Sequence, residues 1–357
     1  MAVRIPPRVE AMDPYVPQPD TFRVKLDANE SFVRLPLGLR LRLAFKTLSL
    51  PYNRYPDPDA VALCGRAASC FGVEPACVVA GNGSDELLGV AFSAFADPGD
   101  GVLVFEPDFS MYRFYAHLYG LTLVNSPRME DGLPDFEAAK ARIAQGDIRI
   151  AVFSNPCNPT GSGAEEAVVE EFIRFCEKHG VLVILDEVYM DFFRRPLLGR
   201  IREHENLCVL KSTSKAMGLA GLRVGFVVAR EELIRLFKTV KSPFNCNSFS
   251  QMAAAEMLAY PGYRDRALGR ILKQTDRLRQ ILAEFCARTE GLAVLDGSQT
   301  NFVLAEGEKA AQLHRRLLDK SIAVRKVGPT RLRITAGSPR DHRILEKALE
   351  DILKEGW

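Results

Sequence analysis

Uninterrupted apolar runs punctuate the chain at 77–80, 101–105, 148–153, 181–185, 207–210 and 224–228, separated by amphipathic stretches. Runs of Val, Ile and Leu without polar alternation suit strands buried on both faces, so the pattern predicts a mostly parallel sheet with helices packed on each side. One intervening stretch, 165–179, sets Val168, Val169, Phe172, Ile173 and Cys176 among charges at helical spacing. It predicts a helix with one buried face, crossing between two of the strands. Residues 250–288 are rich in Ala, Leu, Arg and Glu and read as one long helix leading to a second domain. Beyond it, short apolar runs at 293–295, 301–304, 323–325 and 331–335 alternate with helical segments at 308–319 and 339–354, the pattern of an α+β unit. The first 30 residues are Pro-rich and read as an extended arm. The organisation expected is an arm over 1–30 packed with the small domain, a large domain over 31–245, and a connecting helix with the small domain over 246–357.

Length agrees with that division, because 357 residues exceed a compact unit of roughly 100–200. Charge narrows the partners: 47 basic against 45 acidic side chains leave a net +2, so no overall field favours nucleic acid or an anionic membrane. The N-terminus carries Pro6, Pro7, Asp13 and Pro14 where a signal peptide or membrane anchor would be apolar, and a cytoplasmic protein is expected. The 8 cysteines include no Cys-x-x-Cys pair, as in a chain of reduced thiols, and the 5 histidines never stand at helix-face metal spacing. Neither a disulfide framework nor a metal site is expected.

In an open α/β sheet, ligands gather beyond the carboxyl ends of the strands. The first run is followed by Gly81-Asn82-Gly83-Ser84-Asp85-Glu86, two glycines before a helix-capping Ser and acidic first-turn residues. Such a turn can hold a phosphate on backbone N–H groups, and a plain capped turn accounts for the same residues. The third run ends in Ser154-Asn155-Pro156-Cys157-Asn158-Pro159-Thr160-Gly161, a stiff loop able to fix the Asn158 amide against a cofactor oxygen, or simply a turn. The fourth ends in Asp186-Glu187-Val188-Tyr189. A buried Asp186 needs a partner: a protonated pyridine nitrogen suits it, with Tyr189 as a phenol donor to the same ring, and a helix N-cap is the bland reading. Lys215, boxed by Ser212, Thr213 and Ser214, precedes Arg223 by eight positions across a Gly-rich stretch. An amine so placed suits a Schiff base beside a bound phosphate, the way pyridoxal phosphate is held.

Together these segments resemble the fold-type I pyridoxal-phosphate aminotransferases, in the order Asn158, Asp186, Tyr189, Lys215, Arg223. Within that family the chain is similar to the histidinol-phosphate aminotransferases, on Leu26-Asp27-Ala28-Asn29-Glu30, Arg54-Tyr55-Pro56-Asp57-Pro58, Gly81 to Glu86, Ala220-Gly221-Leu222-Arg223 and Leu332-Arg333-Ile334-Thr335. The resemblance implies an α/β large domain with a mostly parallel seven-stranded sheet and a smaller α+β domain. It implies pyridoxal 5'-phosphate as cofactor, a Lys215 Schiff base, Asp186 on the pyridine nitrogen, and Asn158 and Tyr189 on the ring oxygen. Phe109 would stack on the ring, while Ser84 and Asp85 amides, Ser212, Ser214 and Arg223 would bind the phosphate. Tyr55 would arrive from the second subunit of a homodimer. Arg333 would grip the substrate carboxylate and Arg325 the substrate phosphate, with Tyr15 and Asn29 as further substrate contacts.

The reaction implied moves an amino group between L-histidinol phosphate and 2-oxoglutarate in histidine biosynthesis. Two relatives on the same scaffold remain as alternatives: a lyase that decarboxylates threonine phosphate, and an aromatic amino acid aminotransferase. A nicotinamide dehydrogenase is disfavoured because no Gly-x-Gly-x-x-Gly is present.

Overall fold

A computed structural model describes residues 3–14, 19, 21–295 and 297–357. The strands are β1 (Val24–Leu26), β2 (Val78–Gly81), β3 (Gly101–Glu106), β4 (Thr122–Pro127), β5 (Ile148–Ser154), β6 (Leu182–Asp186), β7 (Leu207–Ser212), β8 (Gly225–Ala229), β9 (Ala293–Val294), β10 (Phe302–Glu306), β11 (Ile322–Val327) and β12 (Arg331–Thr335). Seven of them form one sheet in the order β2-β8-β7-β6-β5-β3-β4. β8 runs antiparallel to both neighbours and the other pairs are parallel. The five-stranded sheet β1-β11-β12-β10-β9 takes its first strand from the N-terminal segment, where Val24 and Leu26 pair in parallel with Ile322 and Val324.

The uninterrupted apolar runs are explained by burial on both faces of the large sheet. On β3, Leu103 and Phe105 point into one core and Val102 and Val104 into the other; on β5, Ala151 and Phe153 oppose Ile150 and Val152. Phe105, Phe136, Phe153 and Phe172 form an aromatic cluster on the first face, with ring centroids 4.6–5.9 Å apart. A separate core joins β1, β10, β11 and β12 to the helices Pro261–Cys286, Ala310–Asp319 and Pro339–Lys354.

Several local expectations are corrected. The stretch 250–288 is two helices, Ser248–Leu258 and Pro261–Cys286. Tyr260 sits at φ −119°, ψ 71°, outside the helical region, because the ring of Pro261 disfavours helix in the residue before it and then starts the next helix itself. In the helix Glu166–Lys178 the buried face holds Val169, Phe172, Ile173 and Cys176, but Val168 is half exposed. The edge strand β4 was not predicted: Thr122–Pro127 is only partly covered and carries no continuous apolar run. The arm is not extended throughout, since Pro7–Glu10 is a short helix and Arg8 Nε donates to the Leu118 carbonyl at 3.1 Å.

Candidate active site

The sheet register gathers the polar strand ends. Ser212 on β7 stands opposite Gly225 on β8, which stands opposite Gly81 on β2. Ser154 on β5 stands opposite Asp186 on β6. The chain leaves Gly81 for the helix Ser84–Phe95, whose N-cap is Gly83 at φ 90° with no side chain bonded to the helix end. Ser84 is therefore the first helical residue and not the expected cap. A Cβ on Gly225 would lie 2.1 Å from Ser84 N, and one on Gly83 would lie 2.6 Å from Arg223 Nη2. Glycine at these two positions lets the helix start, the strand end and the arginine meet. Arg223 turns in the left-handed region at φ 53°, and the Ser212 hydroxyl accepts the Ser214 N–H at 3.1 Å.

Asp186 is 4% exposed. Its Oδ1 accepts the Val188 N–H at 3.1 Å and its Oδ2 the Tyr112 phenol at 3.0 Å. Burial pushes its carboxyl up to about 7, against the pull of those two bonds. The cation whose charge reaches it is Lys211, already paired at 3.5 Å with buried Glu187. Lys215 Nζ donates to the Ala28 carbonyl at 3.2 Å and lies 5.8 Å from the Tyr189 ring centroid. The Tyr189 hydroxyl accepts from Asn29 Nδ2 at 2.8 Å, while Asn29 Oδ1 accepts from Thr335 at 3.0 Å. Both polar ends of the buried Asn29 side chain are thus engaged within the chain.

Arg333 joins the two sheets. Its Nη1 donates to Asn158 Oδ1 and its Nη2 to the Asp27 carbonyl at 2.6 Å, with the guanidinium 5.4 Å from the Phe302 ring. With Oδ1 engaged, the Asn158 amide presents its Nδ2 donor. Arg325 faces Arg333 in the β11–β12 register. Phe109 meets Tyr112 edge-on at 5.7 Å. Tyr55 is 80% exposed and stacks on Phe244 at 4.5 Å. Tyr15 lies outside the described residues.

Tyr112, Asp108 and Arg128 escaped the sequence reading. For Tyr112 a signal existed: it follows Phe109 by three positions, and its N–H donates to the Phe109 carbonyl at 3.1 Å in the turn that leads into the helix Met111–Tyr119.

The arrangement fits a cationic heteroaromatic ring that carries a phosphate and an aldehyde. A helix N-terminus without a side-chain cap, beside Arg223, suits the phosphate. Asp85 Oδ1 is buried there without a hydrogen-bond partner, and burial raises the Asp85 carboxyl while Arg223 lowers it. A deeply buried carboxylate short of a close cation suits a ring N–H⁺, and Lys215 supplies the amine. Among the described residues no His, Cys, Asp or Glu cluster is placed to hold a metal, and no helix is long and apolar enough to cross a membrane.

The chain matches the family model described as aminotransferase class I and II over residues 39–352. It is 35% identical over 337 residues to a histidinol-phosphate aminotransferase of Caldanaerobacter subterraneus subsp. tengcongensis, covering 93% of each chain. It is 33% identical to one of Clostridium novyi, covering 91% of this chain and 90% of that one. Among solved structures it superposes with TM-score 0.89 on the histidinol-phosphate aminotransferase of Sinorhizobium meliloti in complex with pyridoxal-5'-phosphate, at 24% identity and 99% coverage of both.

Proposed function

The chain belongs to the class I and II aminotransferases, and from that premise we propose that it transfers an amino group between L-histidinol phosphate and 2-oxoglutarate in histidine biosynthesis. The observation that carries the substrate assignment is identity of 33–35% to histidinol-phosphate aminotransferases over nine-tenths of both chains. The enzyme works with pyridoxal 5'-phosphate, as its family does.

Bound in the site, that group supplies an aldehyde for the substrate amine and a ring that accepts the electron pair left when a proton departs. The phosphate is held by the Ser84 and Asp85 amides, Ser212, Ser214 and Arg223. Asp186, an anion in a dry pocket, keeps the ring nitrogen protonated, while Asn158 Nδ2 and the Tyr189 phenol donate to the ring oxygen. Phe109 covers a ring face. Lys215 Nζ would take the proton from the substrate α-carbon and deliver it two atoms away, across the substrate nitrogen, the work of a single general base in both directions. Arg333 forks the substrate anion, and Arg325, its cross-strand neighbour, adds charge for the phosphate. Asn29 belongs to the substrate side and, engaged with Tyr189 and Thr335, also orients the phenol that donates to the ring oxygen. Tyr15 completes the substrate side.

A homodimer is supported by the exposed apolar row Leu37, Leu41, Phe45 and Leu48, and by the exposed Tyr52, Tyr55 and Phe244, of which the last two stack on each other. Tyr55 would there reach the partner's phosphate site. Eight free cysteines agree with a cytoplasmic setting. Comparing histidinol phosphate with unphosphorylated histidinol tests the substrate side: the phosphorylated amine turns over with the higher kcat/KM, and Arg325→Ala narrows the gap. Equal kcat/KM for the two amines in wild type would remove the phosphate from the account.

A further inference from the structure

Behind Asn158 lies a buried ion pair that this chemistry leaves unused. Asp108 follows β3, Arg128 follows β4, and their side chains meet with 2% and 3% exposure. The Asp108 carboxylate also accepts from Phe109 N at 2.8 Å, from Ser154 N at 3.1 Å and from the Ser154 hydroxyl. That hydroxyl accepts the Asn158 N–H at 3.1 Å, and Asn158 Oδ1 accepts from Arg333. The Asn158 backbone is thus tied to Ser154 and Asp108 while its side chain holds Arg333, so the coupling from the carboxylate to the guanidinium is positional and passes through the Asn158 residue. Arg128 also donates from Nε to the Pro107 carbonyl at 2.9 Å and from Nη1 to the Gly132 carbonyl at 3.0 Å, so the pair is fixed from both sides.

A buried ion pair is a poor source of stability, because desolvation offsets most of its attraction. Its position at the end of this relay gives it another use. We propose that Asp108, held by Arg128, is a positioning residue for the anion clamp: through Ser154 and Asn158 it fixes where the Arg333 guanidinium meets the substrate's carboxylate or phosphate. Arg128 has the matching task of keeping Asp108 ionised, since burial raises that carboxyl and the guanidinium lowers it. The proposal rests on the reading that Arg333 grips the substrate anion.

The test uses the holoenzyme with three substitutions. Ser154→Ala cuts the relay and leaves the ion pair; Asp108→Asn keeps the shape and removes the charge; Arg333→Lys removes the fork. Loss of one relay bond should raise the KM for 2-oxoglutarate about three- to tenfold in Ser154→Ala. The Kd of glutarate, a non-reacting dicarboxylate measured by calorimetry, should rise by the same factor, and kcat and the Kd for pyridoxal phosphate should move less than about twofold. If Asp108→Asn does not fold, Ser154→Ala decides alone. Arg333→Lys raising both constants while Ser154→Ala leaves them at wild type overturns the positioning role only. If Arg333→Lys leaves them unchanged, the clamp and the proposal fall together. A parallel loss of cofactor affinity and kcat in Ser154→Ala would mark a structural role and overturn the proposal.

Discussion

Tyr112 donates its phenol hydrogen to Asp186 Oδ2 across 3.0 Å and so ties the carboxylate on β6 to the helix Met111–Tyr119. The bond opposes burial, which holds the Asp186 carboxyl at about 7 against an ordinary value of 3.8. A carboxyl raised on folding binds more protons in the folded state, so its contribution is full below the unfolded value and is lost as pH rises through the folded one. The apoprotein therefore loses stability from this group between 3.8 and about 7. Urea unfolding of wild type and Asp186→Asn at about pH 5 and about pH 8 should show their difference changing by roughly 3 kcal/mol. Tyr112→Phe should move the window to higher pH. An identical difference at both pH values would mean that Asp186 titrates normally.

Lys215 is the only group assigned to carry the α-proton. Lys215→Ala should lower kcat by roughly 10²–10⁴ or more while the fold is kept, because the side chain is only partly buried and its hydrogen bond is to the Ala28 carbonyl. Borohydride followed by peptide mass mapping should mark Lys215 in wild type and nothing at that position in the variant. A mark on Lys211 would move the assignment.

The close approach of Gly225 to Ser84 is a second handle on the cofactor. A methyl group 2.1 Å from Ser84 N forces the helix start away from the strand. Gly225→Ala should weaken pyridoxal phosphate binding by about tenfold or more, as expected when helix N–H donors move off their ligand. Equilibrium dialysis of the refilled apoenzyme reads this directly, and wild-type affinity would place the phosphate elsewhere.

Phe45 is 71% exposed on the helix Leu37–Thr47. Phe45→Asp should convert a dimer into monomer in sedimentation velocity and lower cofactor affinity, since Tyr55 would no longer reach the partner's site. A wild type that sediments as monomer at assay concentration would overturn the homodimer.

The central strands were legible because burial on both faces leaves an unbroken Val, Ile and Leu signal, whereas β4 at the sheet edge left none. The break at Tyr260 was written in Pro261 but was masked by the helix-forming composition around it. Asn158, Asp186, Tyr189 and Lys215 stood out because each follows an apolar run, and Arg223 because it stands eight positions after Lys215 across a Gly-rich stretch. The ion pair of Asp108 with Arg128 did not, because its members lie 20 positions apart and meet only once β3 and β4 are paired. Asn29 was noticed as a polar residue in the arm, but its bonds to Tyr189 and Thr335 depend on a fold that closes across 160 and 306 positions.

The most direct measurement is glutamate formation by the purified holoenzyme given L-histidinol phosphate and 2-oxoglutarate, run beside threonine phosphate and phenylalanine as competing donors. Glutamate should form in step with loss of histidinol phosphate, at a kcat/KM above that for phenylalanine, with no carbon dioxide from threonine phosphate. Carbon dioxide release, or better turnover of phenylalanine, would contradict it.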